Sequence, residues 1–320
     1  MTSTGSRIFV AGATGALGRQ LVPQLVAAGH EVTGMTRSES KTGLLREMGA
    51  EAVVADALYA DAVGQAVATA APDVVINQLT AISDDPDWRN PDKEFAETNR
   101  LRTEGTDILL SAAIASGAKR YIGQSFTGWP FAREGGPVKD EEAPLTDDPP
   151  KGVVQMLAAI RHLESAVMEA AGIEGVVLRY GGFYGPNTSL AANPDGSMVE
   201  TVRKRKLPLV GKGAGVWSFI HIADAASGTV AAVDRGDPGI YAIVDDDPAP
   251  VSEWLPALAE ALGAKRPMRV PALLGRIAAG SAAVVMMNEI RGASNAKAKR
   301  ELGWRPSFAS WREGFVHGLS

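Results

Sequence analysis

Apolar residues in the first half of the chain come as short unbroken runs rather than in alternation, as in Val74-Val75-Ile76. A short apolar run bounded by turn residues is a strand buried on both faces. Such runs predict strands at 7–11, 31–36, 52–55, 73–77 and 119–123. The stretches between them carry apolar residues at helical spacing and predict helices at 16–28, 39–48, 59–69, 92–116 and 151–171. A sixth strand is predicted at 175–179. Repeated βα units with doubly buried strands imply an α/β protein built on a doubly wound parallel sheet with right-handed crossovers.

The pattern loosens after residue 180. Gly181, Gly182, Gly185, Pro186, Asn187 and Pro194 mark an irregular segment. Beyond it the spacing predicts helices at 197–206, 223–234, 252–262, 272–288 and 308–318, and strands at 207–210, 217–221 and 240–244. The division expected is a dinucleotide-binding domain over 1–180 and a smaller substrate-binding and capping α/β region over 181–320. The most apolar stretch, 272–288, contains Arg276 and is shorter than the roughly 20 residues a spanning helix needs. It is read as a buried helix. The N-terminus has no apolar core of the kind a signal peptide carries, and the expectation is a cytoplasmic protein without membrane contact.

The chemistry starts at residues 8–18, Ile-Phe-Val-Ala-Gly-Ala-Thr-Gly-Ala-Leu-Gly. Gly12, Gly15 and Gly18 stand in a G-x-x-G-x-x-G spacing between an apolar strand and an amphipathic helix. The first glycine permits a tight turn, the second lets backbone approach phosphates, and the third lets helix and strand pack closely. A pyrophosphate then sits over free N–H groups at the helix start. Gly12, Thr14, Gly15, Ala16, Leu17 and Gly18 are the candidate phosphate contacts of a Rossmann dinucleotide site. No acid ends the second strand, where NAD sites place one for the ribose 2′-hydroxyl. Arg37 stands there instead, able to pair with a 2′-phosphate. This favours NADP(H) over NAD(H), with Glu39 nearby pulling the other way. Asp56 is placed to accept from the adenine amine, and Asn77 to line the cleft.

Composition narrows the partners. A net charge of −5 argues against nucleic acid. The run Arg203-Lys204-Arg205-Lys206 reads as a solvated helix end. There are no cysteines, which excludes disulfides, thiolate metal sites and cysteine nucleophiles. His30, His162, His221 and His317 are scattered, and Asp245-Asp246-Asp247 reads as a loop rather than a metal site. The expected partner is a small-molecule substrate.

Several segments together resemble the extended short-chain dehydrogenase/reductase family, in its epimerase/dehydratase branch. They are the glycine turn, the stretch from Asn99 to Gly105-Thr106, Leu178-Arg179-Tyr180 with Phe183-Tyr184-Gly185-Pro186, Phe219-Ile220-His221-Ile222-Ala223-Asp224, and the closing Ala296–Trp304 segment. The resemblance spans nearly the whole chain. It implies a serine or threonine after the fifth strand, and a tyrosine with a lysine four residues on, which move the proton while hydride moves at the nicotinamide. Gln124-Ser125-Phe126-Thr127 supplies the hydroxyls. Anchoring on Leu163-Glu164 puts Met156 and Ile160 where the tyrosine and lysine belong. No tyrosine occurs between Tyr121 and Tyr180, so a shift of register cannot restore the pair.

The resemblance also implies a diphosphate-binding arginine in nucleotide-sugar members, and Trp217 stands in its place. That points to a more apolar substrate, or to an interdomain core residue. Ser125 and Thr127 are candidate oxyanion donors, and Tyr180 is the candidate acid. Tyr184 reads as structural. His162 points about 200° away from Ile160 on its helix. Arg133 and Arg161 are candidate anion contacts. The Gly128–Pro150 stretch, with Trp129 and Phe131, reads as a lid or a surface excursion.

Three readings follow: an atypical NADP(H) reductase or epimerase-like enzyme acting on a small carbonyl or hydroxyl compound; a non-redox lyase, isomerase or cyclase; or a non-catalytic NADP(H) sensor or scaffold. An exposed apolar patch on 272–288 would favour the last. The family also implies a homodimer through its fourth and fifth helices. Here Leu101, Ile108, Leu109 and Ala112 form that apolar stripe, unless they face the sheet.

Overall fold

The computed structural model describes residues 5–83 and 90–320. Seven strands build one sheet: β1 (Arg7–Ala11), β2 (Glu31–Thr36), β3 (Glu51–Val54), β4 (Val74–Asn77), β5 (Arg120–Phe126), β6 (Glu174–Tyr180) and β7 (Gly239–Ile243). They lie in the order β7-β6-β5-β4-β1-β2-β3 and every pairing is parallel. The order reverses between β1 and β4. In such sheets ligands bind outside the carboxyl ends of the strands, in the crevice at this switch point.

The boundary expected at 180 is crossed by the chain. The predicted strand at 240–244 is β7, and it pairs with β6 from Gly239↔Val176 to Ile243↔Tyr180. The helix Ile222–Asp234 shares an apolar core with α1 (Ala16–Ala27), and Gln24 Nε2 donates to Ala223 O across 3.1 Å. Residues 222–243 therefore complete the nucleotide-binding layer. The remainder of the C-terminal region has its own core, with Tyr184, Phe219, Trp254, Trp311 and Phe315 at its centre. Trp217 belongs to this core: its ring stacks on Phe219, centroids 5.9 Å apart, and its Nε1 donates to Met286 O at 2.9 Å. The predicted strand 217–221 divides at Ser218, since Trp217 pairs with Ala249 while Phe219–His221 pairs with Gly182–Tyr184.

The predicted helix 92–116 is broken into Pro91–Glu94, Ala96–Arg100, a π-helical turn over Leu101–Gly105, and Thr106–Ala115. Threonines account for the widening. Thr103 Oγ1 donates to Asn99 O and Thr106 Oγ1 reaches Leu101 O five residues back, and hydroxyls that bond preceding carbonyls distort a helix. Leu101 and Leu109 face the sheet core, and Ile108 and Ala112 pack beside it while remaining partly exposed.

The helix Ala272–Asn288 kinks at Gly280, whose φ of +85° suits glycine. Its first half departs from the buried helix expected: Leu273, Leu274 and Ile277 are exposed. Among the described residues no helix is long and apolar enough to cross a membrane.

The stretch between β5 and the helix Val154–Met168 is pinned at several points, unlike a free lid. Val138–Lys139 pairs with Gly292–Ala293. Phe131 is buried with the Arg179 guanidinium 5.5 Å from its ring centroid. Arg161 donates to Leu145 O and Thr146 O and pairs with Asp147. Arg133 pairs with Glu289. Both candidate anion contacts thus have partners within the chain.

Candidate active site

The glycine turn is shaped for a dinucleotide. Gly12 has a φ of +85°, and a Cβ there would meet Gln78 O at 2.5 Å; at Gly18 it would meet Ala13 O at 2.4 Å. Gly15 N donates to Gly12 O and closes the turn. Gly15 is the N-cap of α1 and has no side chain to occupy the free N–H groups that follow. Thr14 O accepts from Arg19 Nε, which fixes the outer wall of the turn. Ala16, Leu17 and Gly18 present those N–H groups at the positive end of the helix dipole, so the residues present fit an anionic pyrophosphate.

Arg37 stands at the end of β2, and its Nη1 lies 2.7 Å from Glu97 Oε1. The two side chains are 69% and 54% exposed, and an ion pair that open to water is worth about 0–1 kcal/mol. A ligand phosphate can therefore compete for the arginine. Asp56 Oδ1 accepts from Leu58 N in a local turn at 3.0 Å. Asn77 differs from expectation. Its Nδ2 donates to Thr106 Oγ1 at 3.2 Å and Tyr121 OH at 2.9 Å, and its Oδ1 accepts from Leu79 N at 3.1 Å. The side chain is committed inside the fold and shapes the crevice wall rather than reaching into it.

The candidate chemistry residues separate by strand parity. Ser125 and Thr127 point to one face of the sheet, and Gln124 and Phe126 to the other, where they are partly exposed. Ser125 is 3% exposed and its Oγ donates to Glu164 Oε1 at 2.6 Å. Glu164 is itself held by Arg179, with Nε and Nη2 at 2.8 and 2.7 Å from its two oxygens. Ser125 is thus an arm of a buried ion pair. Thr127 is different: its N donates to Tyr180 O, and its hydroxyl is buried with no partner. Gln78 leaves its Oε1 equally unsatisfied beside the glycine turn. Two orphaned polar groups at the ends of β4 and β5 mark the part of the crevice that a bound ligand would satisfy.

Tyr180 is buried, and its hydroxyl lies between Thr229 Oγ1 at 2.7 Å and Gln78 Nε2 at 3.2 Å. Burial raises its pKa far above the ordinary tyrosine value. It is a core residue that fixes Gln78. Met156 and Ile160 are 6% and 1% exposed. His162 bonds Asp107 on the outer surface. His221 accepts from Ala223 N and contacts Gly318 O, capping the helix Ile222–Asp234; burial lowers its pKa.

Sequence reasoning passed over Glu164 as a functional neighbour, although it was legible as the end of a Lys-x-x-x-Glu spacing.

With this geometry in place, comparison with known proteins assigns the class. Residues 8–243 match the NAD dependent epimerase/dehydratase family. A 3-diazoavenalumate denitrifying reductase from Streptomyces sp. is 43% identical over 309 residues, covering 96% of this chain and 98% of that protein. A 4-hydroxy-2-methyl-3-oxo-4-farnesyl-3,4-dihydroquinoline-1-oxide ketoreductase from Stigmatella aurantiaca is 28% identical, covering 81% and 74%. Among solved structures, the UDP-glucose 4-epimerase of Thermotoga maritima superposes with a TM-score of 0.75 at 21% identity, covering 98% and 97% of the two chains.

The chain belongs to the NAD dependent epimerase/dehydratase family, with a Rossmann-like nucleotide-binding fold. It is an enzyme of the oxidoreductase class that its named relatives populate. That sets aside the reading as a non-catalytic scaffold.

Proposed function

We propose that this protein is an NADPH-dependent reductase whose substrate takes a hydride without needing a proton from the enzyme, and that the substrate is an aryl diazonium carboxylate. The reading rests on one observation: Met156 and Ile160, which the family resemblance puts at the tyrosine and lysine positions, are apolar and buried. A ketone or aldehyde gaining hydride becomes an alkoxide and needs an acid, and a positioned acid is worth roughly 10²–10⁴-fold. Tyr180 is locked in the core, and the Ser125 hydroxyl already donates its hydrogen bond to Glu164. The crevice suits an acceptor that is already cationic.

A diazonium ion is such an acceptor. Reduced nicotinamide supplies a hydride to the ring carbon, a C–H bond forms, and the C–N bonding pair leaves with N2. Charge and atoms balance with no proton. The relative at 43% identity carries this chemistry in its name, as a denitrifying reductase of a diazo acid. Removal of the pair also protects the enzyme. Diazonium ions couple to phenolates, amines and thiolates. Met156 and Ile160 offer none of these, and the chain has no cysteine.

The reaction is tested with 4-carboxybenzenediazonium and NADPH carrying deuterium on one face of C4. Enzyme-dependent release of N2, with the label from one face at the carbon that lost nitrogen, is expected. Hydrogen from solvent at that carbon, or a product that keeps both nitrogens, would exclude the mechanism.

For the cofactor, the exposed Arg37–Glu97 pair supports NADPH over NADH. Arg37→Ala should raise KM for NADPH by roughly 10-fold or more, one charge-assisted phosphate contact being worth about 1.5–3 kcal/mol. KM for NADH should move less than 2-fold. Equal changes for both cofactors would remove Arg37 as the selector.

A further inference from the structure

We propose that Arg102 and Asn99 form the receptor for the substrate's carboxylate. The proposal rests on the reading of the crevice as the site of a diazo acid reductase, and it names the residues that hold the acid.

Arg102 lies in the π turn Leu101–Gly105, and such turns recur at functional sites. Its neighbours one turn away on either side, Thr98, Gly105 and Thr106, are all buried, as is Leu109 beyond. Arg102 therefore occupies the middle of the buried face of this helix. Thr98 Oγ1 accepts from Ala81 N, in the segment after β4, and Thr106 Oγ1 accepts from Asn77 at the end of β4. Arg102 stands between those two levels, just outside the carboxyl end of β4, where the crevice opens.

An arginine at the centre of a buried face ordinarily has a carboxylate. Arg179 has Glu164. Arg102, among the described residues, has neither hydrogen bond nor ion pair. Protein atoms surround it closely enough that burial pushes its pKa down to about 10. Part of the residue is nevertheless reachable by solvent. Arg102 is thus a densely surrounded cation that solvent still reaches.

Asn99 gives a second, independent sign. It precedes Arg102 by three residues, is 8% exposed, and both polar atoms of its amide lack a partner. A planar guanidinium fork beside an amide N–H donor matches the oxygens of a carboxylate. Bound there, the carboxylate would satisfy both groups and direct the rest of the substrate along the ends of β4 and β5 toward Thr127.

The test is calorimetric titration of the NADP⁺-loaded protein with cinnamate and with uncharged cinnamamide, with thermal melting of the free protein alongside. Arg102→Met should weaken cinnamate binding at least 30-fold, leave cinnamamide within 3-fold, leave NADP⁺ binding unchanged, and raise or hold the melting temperature, because an unpartnered buried charge is removed. Arg102→Lys should recover part of the cinnamate affinity, and Asn99→Leu should weaken cinnamate by about 5–20-fold. Loss of NADP⁺ affinity would assign the arginine to a cofactor phosphate and overturn the proposal. A fall in melting temperature with cinnamate binding intact would make Arg102 structural and overturn it equally. Because binding is read without turnover, cinnamate recognition can stand even where the diazonium reaction fails.

Discussion

Glu164→Ala is expected to lower the stability of the protein by about 3–5 kcal/mol, the range for removing one member of a buried ion pair. The loss is large because three groups depend on this carboxylate. Arg179 is 4% exposed and would be left with its charge facing the Glu141 carbonyl and the ring of Phe131. Ser125 would lose the acceptor at 2.6 Å. The register between β5 and β6, in which Ser125 faces Arg179, would keep its backbone bonds but lose the side-chain clamp from the helix Val154–Met168. Melting should fall by on the order of 10 °C. Replacing Glu164 and Arg179 together by leucine should recover much of this, since an apolar pair leaves no charge stranded. Ser125→Ala separates two roles for the serine. If Ser125 is an arm of the ion pair, its loss lowers stability by about 1.5–3 kcal/mol and spares kcat at temperatures well below melting. A kcat that collapses while melting is unchanged would return Ser125 to the chemistry.

The nucleotide half of this reading was legible from residues alone, for a physical reason. Doubly buried parallel strands need unbroken apolar runs, and a pyrophosphate needs glycines where a Cβ would strike Gln78 or Ala13. Both requirements are local in sequence. The absence of the tyrosine and lysine was legible too, because no tyrosine lies within reach of the required position. The rest depended on direction. Ser125 and Phe126 differ by one residue, and only strand parity decides which faces Glu164. Asn77 ends its strand as expected, yet three hydrogen bonds turn it inward. Arg102 looks like one of several charges on an amphipathic helix, and only the fold shows that Thr98, Gly105 and Thr106 around it are buried. The strand β7 was found but placed in the wrong layer, since pairing partners such as Gly239 and Val176, 63 residues apart, leave no mark in local periodicity.

The three aspartates at 245–247 carry the second large effect, and it is a dependence on pH. They look alike in sequence and differ completely in the fold. Asp246 is paired with Lys299 and Asn295, and Asp247 with Arg312 and Ser310. Among the described residues Asp245 has no cation; it is 1% exposed, its Oδ1 accepts from Asp247 N, and its Oδ2 has no hydrogen-bond partner. Burial pushes its pKa up to about 8, and the charges of Asp247 and Asp246 add to the effect. Unfolding returns it to the ordinary value of 3.8. The folded state thus holds a proton that the unfolded state has lost between these limits. Stability from this group is complete below about pH 4, declines as pH rises, and levels off above about pH 8, at up to about 1.4 kcal/mol per pH unit. Asp245→Asn replaces the acid by a neutral group of the same shape. Urea unfolding from pH 5 to 9 should find the variant increasingly more stable than the parent, by several kcal/mol at pH 8. Above that pH the two curves should run parallel. Curves for parent and Asp245→Asn that stay parallel throughout would mean that the carboxyl is ionised in the fold and solvated by a route other than these neighbours.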